Sequence, residues 1–463
     1  MSGKQIEIYE FGEFRLDVGE HRLERLTGDS DGSLPEKAFQ TLVTLLRNSG
    51  TLLTKEQLLT TIWPDTVVEE NNLGKAVHAI RNFLGPGSQG IIQTVPKHGY
   101  RFVGDVRKIE INEDSRGTSS SASNPSRPFP NSPAYDLYVR GKVKAGSENI
   151  EDTENAIKVL EAAIAIDPFF APAYAQLARA FNTRAFKFSA GPHRKLLHEN
   201  AEVAVEKALA LDPDLAEGHF ARGLILWTNT KGFPHEQAIR AYKRSLSLDP
   251  NSDETHHQLS MVYSHIGLLE EAHEEVGRAL ELNPNNTMAR FRVGVYFAYQ
   301  TKFDEAMAVF KTIPLDVSPM LVSRSTAEVL IQTGHLSDAA TIIEEHLRDF
   351  PSDEGGSFTS LRALLLAKAG KKGAMEKAIA QAAEMGRDYG HFHHTAHNIA
   401  SAYAALNKPG ETVKWLQKAA DTGFPNYTYY DLDPNLDPVR SDVTFTEFMA
   451  KLRKQWQKFK AIG

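Results

Sequence analysis

From Tyr135 onward the chain repeats itself. The segments AIAIDP, ALALDP, SLSLDP and ALELNP end at Pro168, Pro213, Pro250 and Pro284, and Pro319 and Pro351 continue the series with successive gaps of 45, 37, 34, 35 and 32 residues. A second marker agrees: Ala238, Ala272, Ala306 and Ala339 are spaced by 34, 34 and 33. Each unit of such a period has room for two helices and a turn. A small residue inside the second helix lets it approach the first, and a proline ends that helix before the next unit begins. One helix pair cannot bury its apolar face alone, so the pairs must stack into a superhelix.

A period near 34 with a mid-repeat alanine and a closing proline resembles the tetratricopeptide (TPR) family over residues 135–425, with about eight helix pairs. WLQKAADTGFP, around Trp415 and Ala419, still fits a second helix in the degenerate region after Pro351. Residues 426–463 are expected to form a capping segment, with the amphipathic stretch Phe445 to Lys460 as its solvent-facing helix. Two gaps exceed the period. About eleven extra residues fall near TRAFKFSAGPH (Thr183–His193) and three near TNTKGFP, both between the helices of a pair. Phe186 and Phe188 sit in the longer insertion, which reads as a lid or partner-binding loop, or else as a tolerated insertion that packs its aromatics locally. In TPR arrays the first helices line a groove. The resemblance therefore implies that Arg179, Asn182, Phe220, Trp227, His257, Met261, Phe291, Arg324 and Glu328 line one here, with a protein or peptide as ligand; the alternative for each is inter-repeat core. The Lys/Asn carboxylate clamp of chaperone-binding TPRs is not recognisable.

The N-terminal part has a different grammar. In residues 67–104 Leu73, Val77, Ile80 and Leu84 recur at helical spacing and form one buried face. The opposite stripe carries Asn71, Asn72, Lys75, His78 and Asn82, short or basic side chains that suit phosphates and base edges. Gly85-Pro86-Gly87 stops the helix. IIQTV and YRFVG, rich in β-formers, flank Pro96-Lys97-His98-Gly99 and predict a hairpin with a basic tip. Upstream, Phe39, Leu42, Val43, Leu45 and Leu46 mark a helix that stops at Gly50. Thr54 and Gln57 form a capping box for a helix buried through Leu58, Leu59 and Ile62 and ended by Trp63-Pro64. IEIYEFGEFRLDVGEHRLERL reads as short strands.

This order resembles the OmpR/PhoB-type winged-helix DNA-binding domain over residues 6–104. The matching residues are Phe14-Arg15-Leu16, Leu58 through Trp63-Pro64 (the family's LxxxxWP ending), Asn72-Leu73, Ile80 to Gly85, and Thr94-Val95 through Gly99-Tyr100-Arg101-Phe102. The resemblance implies that the third helix enters the major groove of double-stranded DNA with Asn71, Asn72, Lys75, His78 and Asn82, and that Lys97, His98 and Arg101 sit on the wing. Ala79 and Pro96 stand where relatives often carry arginine, so base specificity does not transfer. The fold class expected is an α+β winged helix (small sheet, three helices, C-terminal β-hairpin wing) followed by an all-α TPR superhelix. Residues 1–108 form the first domain and 109–134, rich in Ser, Pro and Asn, a flexible linker.

Residues 1–108 hold 13 Lys and Arg against 14 Asp and Glu, a net of −1, so the domain is not basic as a whole. Positive charge gathers in residues 71–108, at Lys75, Arg81, Lys97, Arg101, Arg107 and Lys108, and is expected on the helix and wing. The chain has no cysteine, which excludes disulfides and thiolate metal sites. No apolar run approaches the roughly 20 residues of a membrane span and the start is no signal peptide, so a cytoplasmic protein is expected. His391, His393, His394 and His397 cluster in HFHHTAH. His393 and His397, at i and i+4, have a spacing that can bind zinc, but no glutamate completes HExxH, and the histidines read as surface or inter-helix residues rather than a metal site. There is no Walker loop, GxGxxG or GxSxG, so no enzyme and no cofactor is expected. The order of reading head before sensor resembles bacterial ToxR/CadC-type transcriptional regulators without their membrane span. It implies DNA as partner, with RNA polymerase and a second copy on DNA as further ones. The alternative is an interaction scaffold whose winged helix does not bind DNA.

Overall fold

A computed structural model describes residues 6–12, 14–18, 22–25, 34–63, 70–85, 91–95, 98–104, 106–111, 132–147, 149–189, 191–314, 318–387 and 389–461. The chain divides into two compact units, Met1–Tyr135 and Asp136–Gly463. The expected linker lies almost entirely outside the described residues. No helix among the described residues is long and apolar enough to cross a membrane.

The first unit runs β1 (Ile6–Phe11), β2 (Phe14–Asp17), β3 (Arg22–Arg25), α1 (Glu36–Arg47), β4 (Leu52–Thr54), α2 (Lys55–Ile62), α3 (Glu70–Leu84), β5 (Ile92–Val95), β6 (Gly99–Phe102) and β7 (Val106–Ile111). Helix α1 buries Phe39, Leu42, Val43, Leu45 and Leu46 as its spacing predicts. Helix α2 starts on the complete capping box: Gln57 N donates to Thr54 Oγ1 at 3.1 Å, and Thr54 N donates to Gln57 Oε1 at 2.8 Å. It buries Leu58 and Ile62, whereas Leu59 is half-buried. Leu73, Val77, Ile80 and Leu84 of α3 close the same core. Gly85 ends α3 at φ +80°, a left-handed conformation that favours glycine.

Two sheets flank these helices. β5 and β6 form the expected hairpin, but β4 adds to it in the order β4-β6-β5. The opening strands form a sheet in the order β3-β2-β1-β7, in which β7 pairs antiparallel with β1 from Ile6↔Ile111 to Phe11↔Val106. The chain past the wing thus returns to the first strand.

The second unit is all-helical. Its pairs are α4 (Pro133–Lys144) with α5 (Ile150–Ile166), α6 (Ala171–Phe188) with α7 (Gly191–Leu211), and α8 (Ala216–Leu226) with α9 (His235–Leu248). Next come α10 (Asp253–His265) with α11 (Leu269–Leu282), α12 (Thr287–Tyr299) with α13 (Phe303–Phe310), and α14 (Pro319–Gln332) with α15 (Leu336–Asp349). α16 (Ser357–Lys368) with α17 (Lys372–Met385) and α18 (Phe392–Ala405) with α19 (Pro409–Asp421) complete the series. The marker alanines Ala238, Ala272, Ala306 and Ala339 are all 0% exposed, one in each of four second helices, where a larger side chain would push the pair apart.

Three expectations change. Pro319 does not close a second helix; it opens α14 at a first-turn position, where its missing N–H is harmless. The long insertion is not a loop: α6 and α7 absorb it by running to 18 and 21 residues. TRAFKF has no glycine or proline to stop α6 before Gly191-Pro192. The terminal segment, α20 (Tyr427–Leu432), a 3-10 turn (Pro434–Val439) and α21 (Val443–Lys460), does more than cap the end. It runs back onto earlier pairs. Asn426 Nδ2 donates to Ser264 O at 2.6 Å, Thr428 Oγ1 and Trp456 Nε1 donate to Gly267 O at 2.8 and 3.0 Å, and the Tyr299 and Tyr429 rings lie 4.5 Å apart. Phe445, Phe448, Met449, Leu452 and Phe459 bury one face of α21. This much apolar surface cannot remain in water at the end of an array.

Candidate nucleic-acid interface

Helix α3 has one face locked in the core, which fixes what the other presents. Lys75, His78 and Asn82 are exposed and Asn72, in the first turn, is half-buried. Asn71 belongs to the helix, but its side chain lies outside the described residues, as does the whole of Lys97. Asn82 Nδ2 lies 3.1 Å from His78 Nε2, so two of the polar groups are paired along the helix before any ligand arrives. On the wing, His98 is exposed and Arg101 half-buried. His98 N donates to Val95 O at 3.0 Å and closes the hairpin turn, while Lys55 N donates to His98 O at 2.9 Å and ties the turn to the start of α2. Gly99 is required there: a Cβ would stand 1.9 Å from Leu53 O of the paired strand β4.

The expected concentration of positive charge is only partly realised. Arg81 is not on the reading face. Its Nη2 donates to Ile92 O at 2.6 Å and to Thr94 Oγ1 at 2.8 Å, and so fixes the wing strand against the recognition helix. Sequence reasoning missed this positioning role, since nothing local marks an arginine whose partners lie 11 and 13 residues on. Arg107 and Lys108 lie in β7, part of the other sheet, and Arg107 is within 4.0 Å of Glu10. Among the described residues Lys75 and Arg101 are the cations of the six that remain on helix and wing.

The nine groove positions fall into two groups. Asn182, Phe220, Trp227, Phe291 and Arg324 are buried. Phe220, Trp227 and Phe291 belong to one continuous core with the terminal segment, which favours the core alternative for them. Trp227 Nε1 donates to His235 Nδ1 at 3.0 Å. Arg179, His257, Met261 and Glu328 are half-buried. Arg179 is held by both carboxylate oxygens of Glu254, at 2.8 and 2.5 Å, and Arg324 lies 3.8 Å from Glu328. Of the insertion aromatics, Phe186 packs on His391 at 5.0 Å between ring centres.

The comparisons with known proteins divide along the same line as the fold. Residues 29–102 match the family model described as "Transcriptional regulatory protein, C terminal", and residues 241–274 match "Tetratricopeptide repeat". Among curated proteins, the chain is 32% identical over 78 residues to the transcriptional regulator HilA of Salmonella typhimurium, covering 17% of this chain and 14% of HilA. It is 30% identical over 99 residues to protein PsaE of Yersinia pseudotuberculosis, covering 21% of this chain and 46% of PsaE. The chain thus spans less than half of either relative. Among solved structures, the DNA-binding domain of E. coli CadC is 21% identical, with a TM-score of 0.20 over 22% of this chain and 98% of that one. The chain joins an N-terminal domain of the OmpR/PhoB-type transcriptional-regulatory family to a tetratricopeptide-repeat region.

Proposed function

We propose that the protein regulates transcription by binding double-stranded DNA, with α3 in the major groove and the β5–β6 wing against the backbone, and that the helical unit receives a partner protein or a signal. The observation that carries the reading is the division of α3: Leu73, Val77, Ile80 and Leu84 lock one side into the core, and Lys75, His78 and Asn82 stand exposed on the other. Base edges are read by short amide and imidazole groups, and phosphates by lysine and arginine. RNA polymerase and a second copy on adjacent half-sites are the further partners this reading admits. The half-buried His257, Met261 and Glu328 are the groove positions best placed to meet a peptide.

Binding of the full chain to duplex DNA, measured against salt, tests the reading. Lys75→Ala is expected to weaken binding on all sequences about equally and to lower the salt slope by roughly one unit, the signature of one lost phosphate contact. Asn72→Ala is expected to change sequence preference instead, costing about 1–3 kcal/mol at one or two base positions. Selection from random DNA that returns the same motif for both proteins would reduce Asn72 to a phosphate contact.

The scaffold reading has one observation in its favour: the net charge of −1 over residues 1–108 gives no long-range attraction to DNA. A wild-type chain that elutes from a DNA column at low salt, with no preferred sequence, would establish it in place of the regulator.

A further inference from the structure

The histidines of HFHHTAH do not stay on one helix face. His391, His393 and His394, at the start of α18, meet His265 from the end of α10, and one ring nitrogen from each of the four lies within 4.8 Å of the other three. The His393 and His394 ring centres are 4.5 Å apart, and His265 is 5.2 and 5.4 Å from them. His397 takes another course and pairs with Asp433 at 3.0 Å.

Two of these rings have a fixed tautomer. His265 Nδ1 lies 2.8 Å from Met261 O and His393 Nδ1 lies 2.8 Å from Thr422 O. A carbonyl can only accept, so each Nδ1 carries the proton and each Nε2 keeps its lone pair. Both Nε2 atoms, and Nδ1 of His391, are buried without a hydrogen-bond partner. His265 and His393 are 3% and 0% exposed. Buried polar atoms are nearly always satisfied, and three unpartnered ring nitrogens on histidines of one cluster are costly unless something engages them. Burial, reinforced by the neighbouring imidazoles, holds His265, His391 and His394 well below the usual histidine range, and burial brings His393 down to about 4.

We propose that His265, His391, His393 and His394 form a binding site for one divalent transition-metal ion of the zinc, nickel or copper class. Neutral imidazole suits these ions, and the set contains neither the carboxylates that calcium and magnesium need nor the thiolates of soft-metal sites. Backbone carbonyls behind His265 and His393 supply the orienting hydrogen bonds that metal-bound histidines usually have. An ion with Zn–N bonds of roughly 2.0–2.1 Å draws four nitrogens to about 3.3–3.4 Å from one another, a closure that needs rotation of the half-buried His391 and His394 rings. These two rings also form the entry side. Phe424, fully buried, packs on His265, His393 and His394 at 5.3, 5.8 and 4.9 Å and dries the site. Arg324 adds positive charge nearby and disfavours weakly held ions, and Glu328 at 3.8 Å from it offsets part of that charge. A bound ion would staple the fourth helix pair to the eighth.

The test uses the full chain, stripped with a chelator and dialysed against Zn2+ or Co2+. The expected results are one ion per chain, an intense visible Co2+ spectrum of tetrahedral type, and a melting temperature raised by about 4 °C at 100-fold excess over Kd. The double variant His391→Gln/His394→Gln should lose the ion and the shift while keeping the melting temperature of the stripped protein, and the exposed His193→Gln should change nothing. No binding by the wild type, equal binding by the double variant, or a weak six-coordinate Co2+ spectrum would each overturn the site. The spectrum decides even if the double variant fails to fold.

Discussion

Trp227→Ala is expected to lower the stability of the helical unit by about 3–5 kcal/mol, the range for losing a large aromatic from a packed core. The side chain is 7% exposed. Its ring meets the edges of His265 and Phe233 at 4.9 and 6.0 Å. Its N–H is held by His235 Nδ1, and burial already keeps that imidazole neutral by pushing its pKa down to about 3. Truncation removes the ring and leaves His235 without its donor, and both losses are contained in that range. For a unit of this size the midpoint should fall by about 4–7 °C. DNA affinity of the N-terminal domain should not change, because Trp227 belongs to the other unit. Trp227→Phe separates the terms: it keeps most of the ring and loses only the N–H, so its cost should be about 1–3 kcal/mol. Partner capture that fails with no change in melting would return Trp227 to the groove surface and remove it from the core.

The features legible in the sequence are those whose causes lie within one or two turns of chain. The buried faces of α1 and α3 follow from spacing, and the Thr54–Gln57 capping box from a four-residue pattern. The alanines follow from the contact of adjacent helices within one period. The features not legible are produced by distant partners. β7 pairs with β1 across about a hundred residues, and VRKIEI alone does not say which strand it will meet. Arg81 looks like a DNA contact until β5 is placed beside it. HFHHTAH reads as surface or inter-helix histidines, and nothing local shows that α10 brings His265 among them from 126 residues earlier. The insertion misled for another reason: a gap in a period counts residues but does not say whether they form a loop or lengthen two helices. For the reading face the sequence assigned Asn71, Asn72, Lys75, His78 and Asn82 by resemblance. The structure adds that Lys75, His78 and Asn82 are exposed and that His78 and Asn82 pair along the helix.

Asp433→Ala should be as damaging as the tryptophan change, by a different mechanism. Asp433 is 0% exposed, at the junction of the terminal segment with α14 and α18. One carboxylate oxygen lies 3.0 Å from His397 Nε2; the other accepts from Gln332 Nε2 at 3.1 Å and from Asn435 N at 2.9 Å. Burial pushes the Asp433 carboxyl up, but the His397 ring 3.0 Å away, then the Asn435 N–H and Gln332, outweigh it and hold the group below its usual value of 3.8. A depressed carboxyl contributes stability that is present above the unfolded pKa and is lost as pH falls through the folded one. The wild type should therefore lose stability on acidification below about pH 4, and Asp433→Ala should lose that part of its acid dependence. At neutral pH the variant leaves the buried His397 without its partner, while Gln332 Nε2 keeps its bond to Tyr429 Oη at 3.0 Å; removing one member of a buried pair costs about 3–5 kcal/mol. The segment from Phe424 to Val439 would then be released from the helix ends, and limited proteolysis should cut there first. The paired replacement Asp433→Leu/His397→Phe removes both members, so it should recover much of the loss. If the paired replacement is as unstable as the sum of its parts, or the acid limb of Asp433→Ala matches the wild type, the terminal segment is held by its tyrosines and phenylalanines and not by this ion pair.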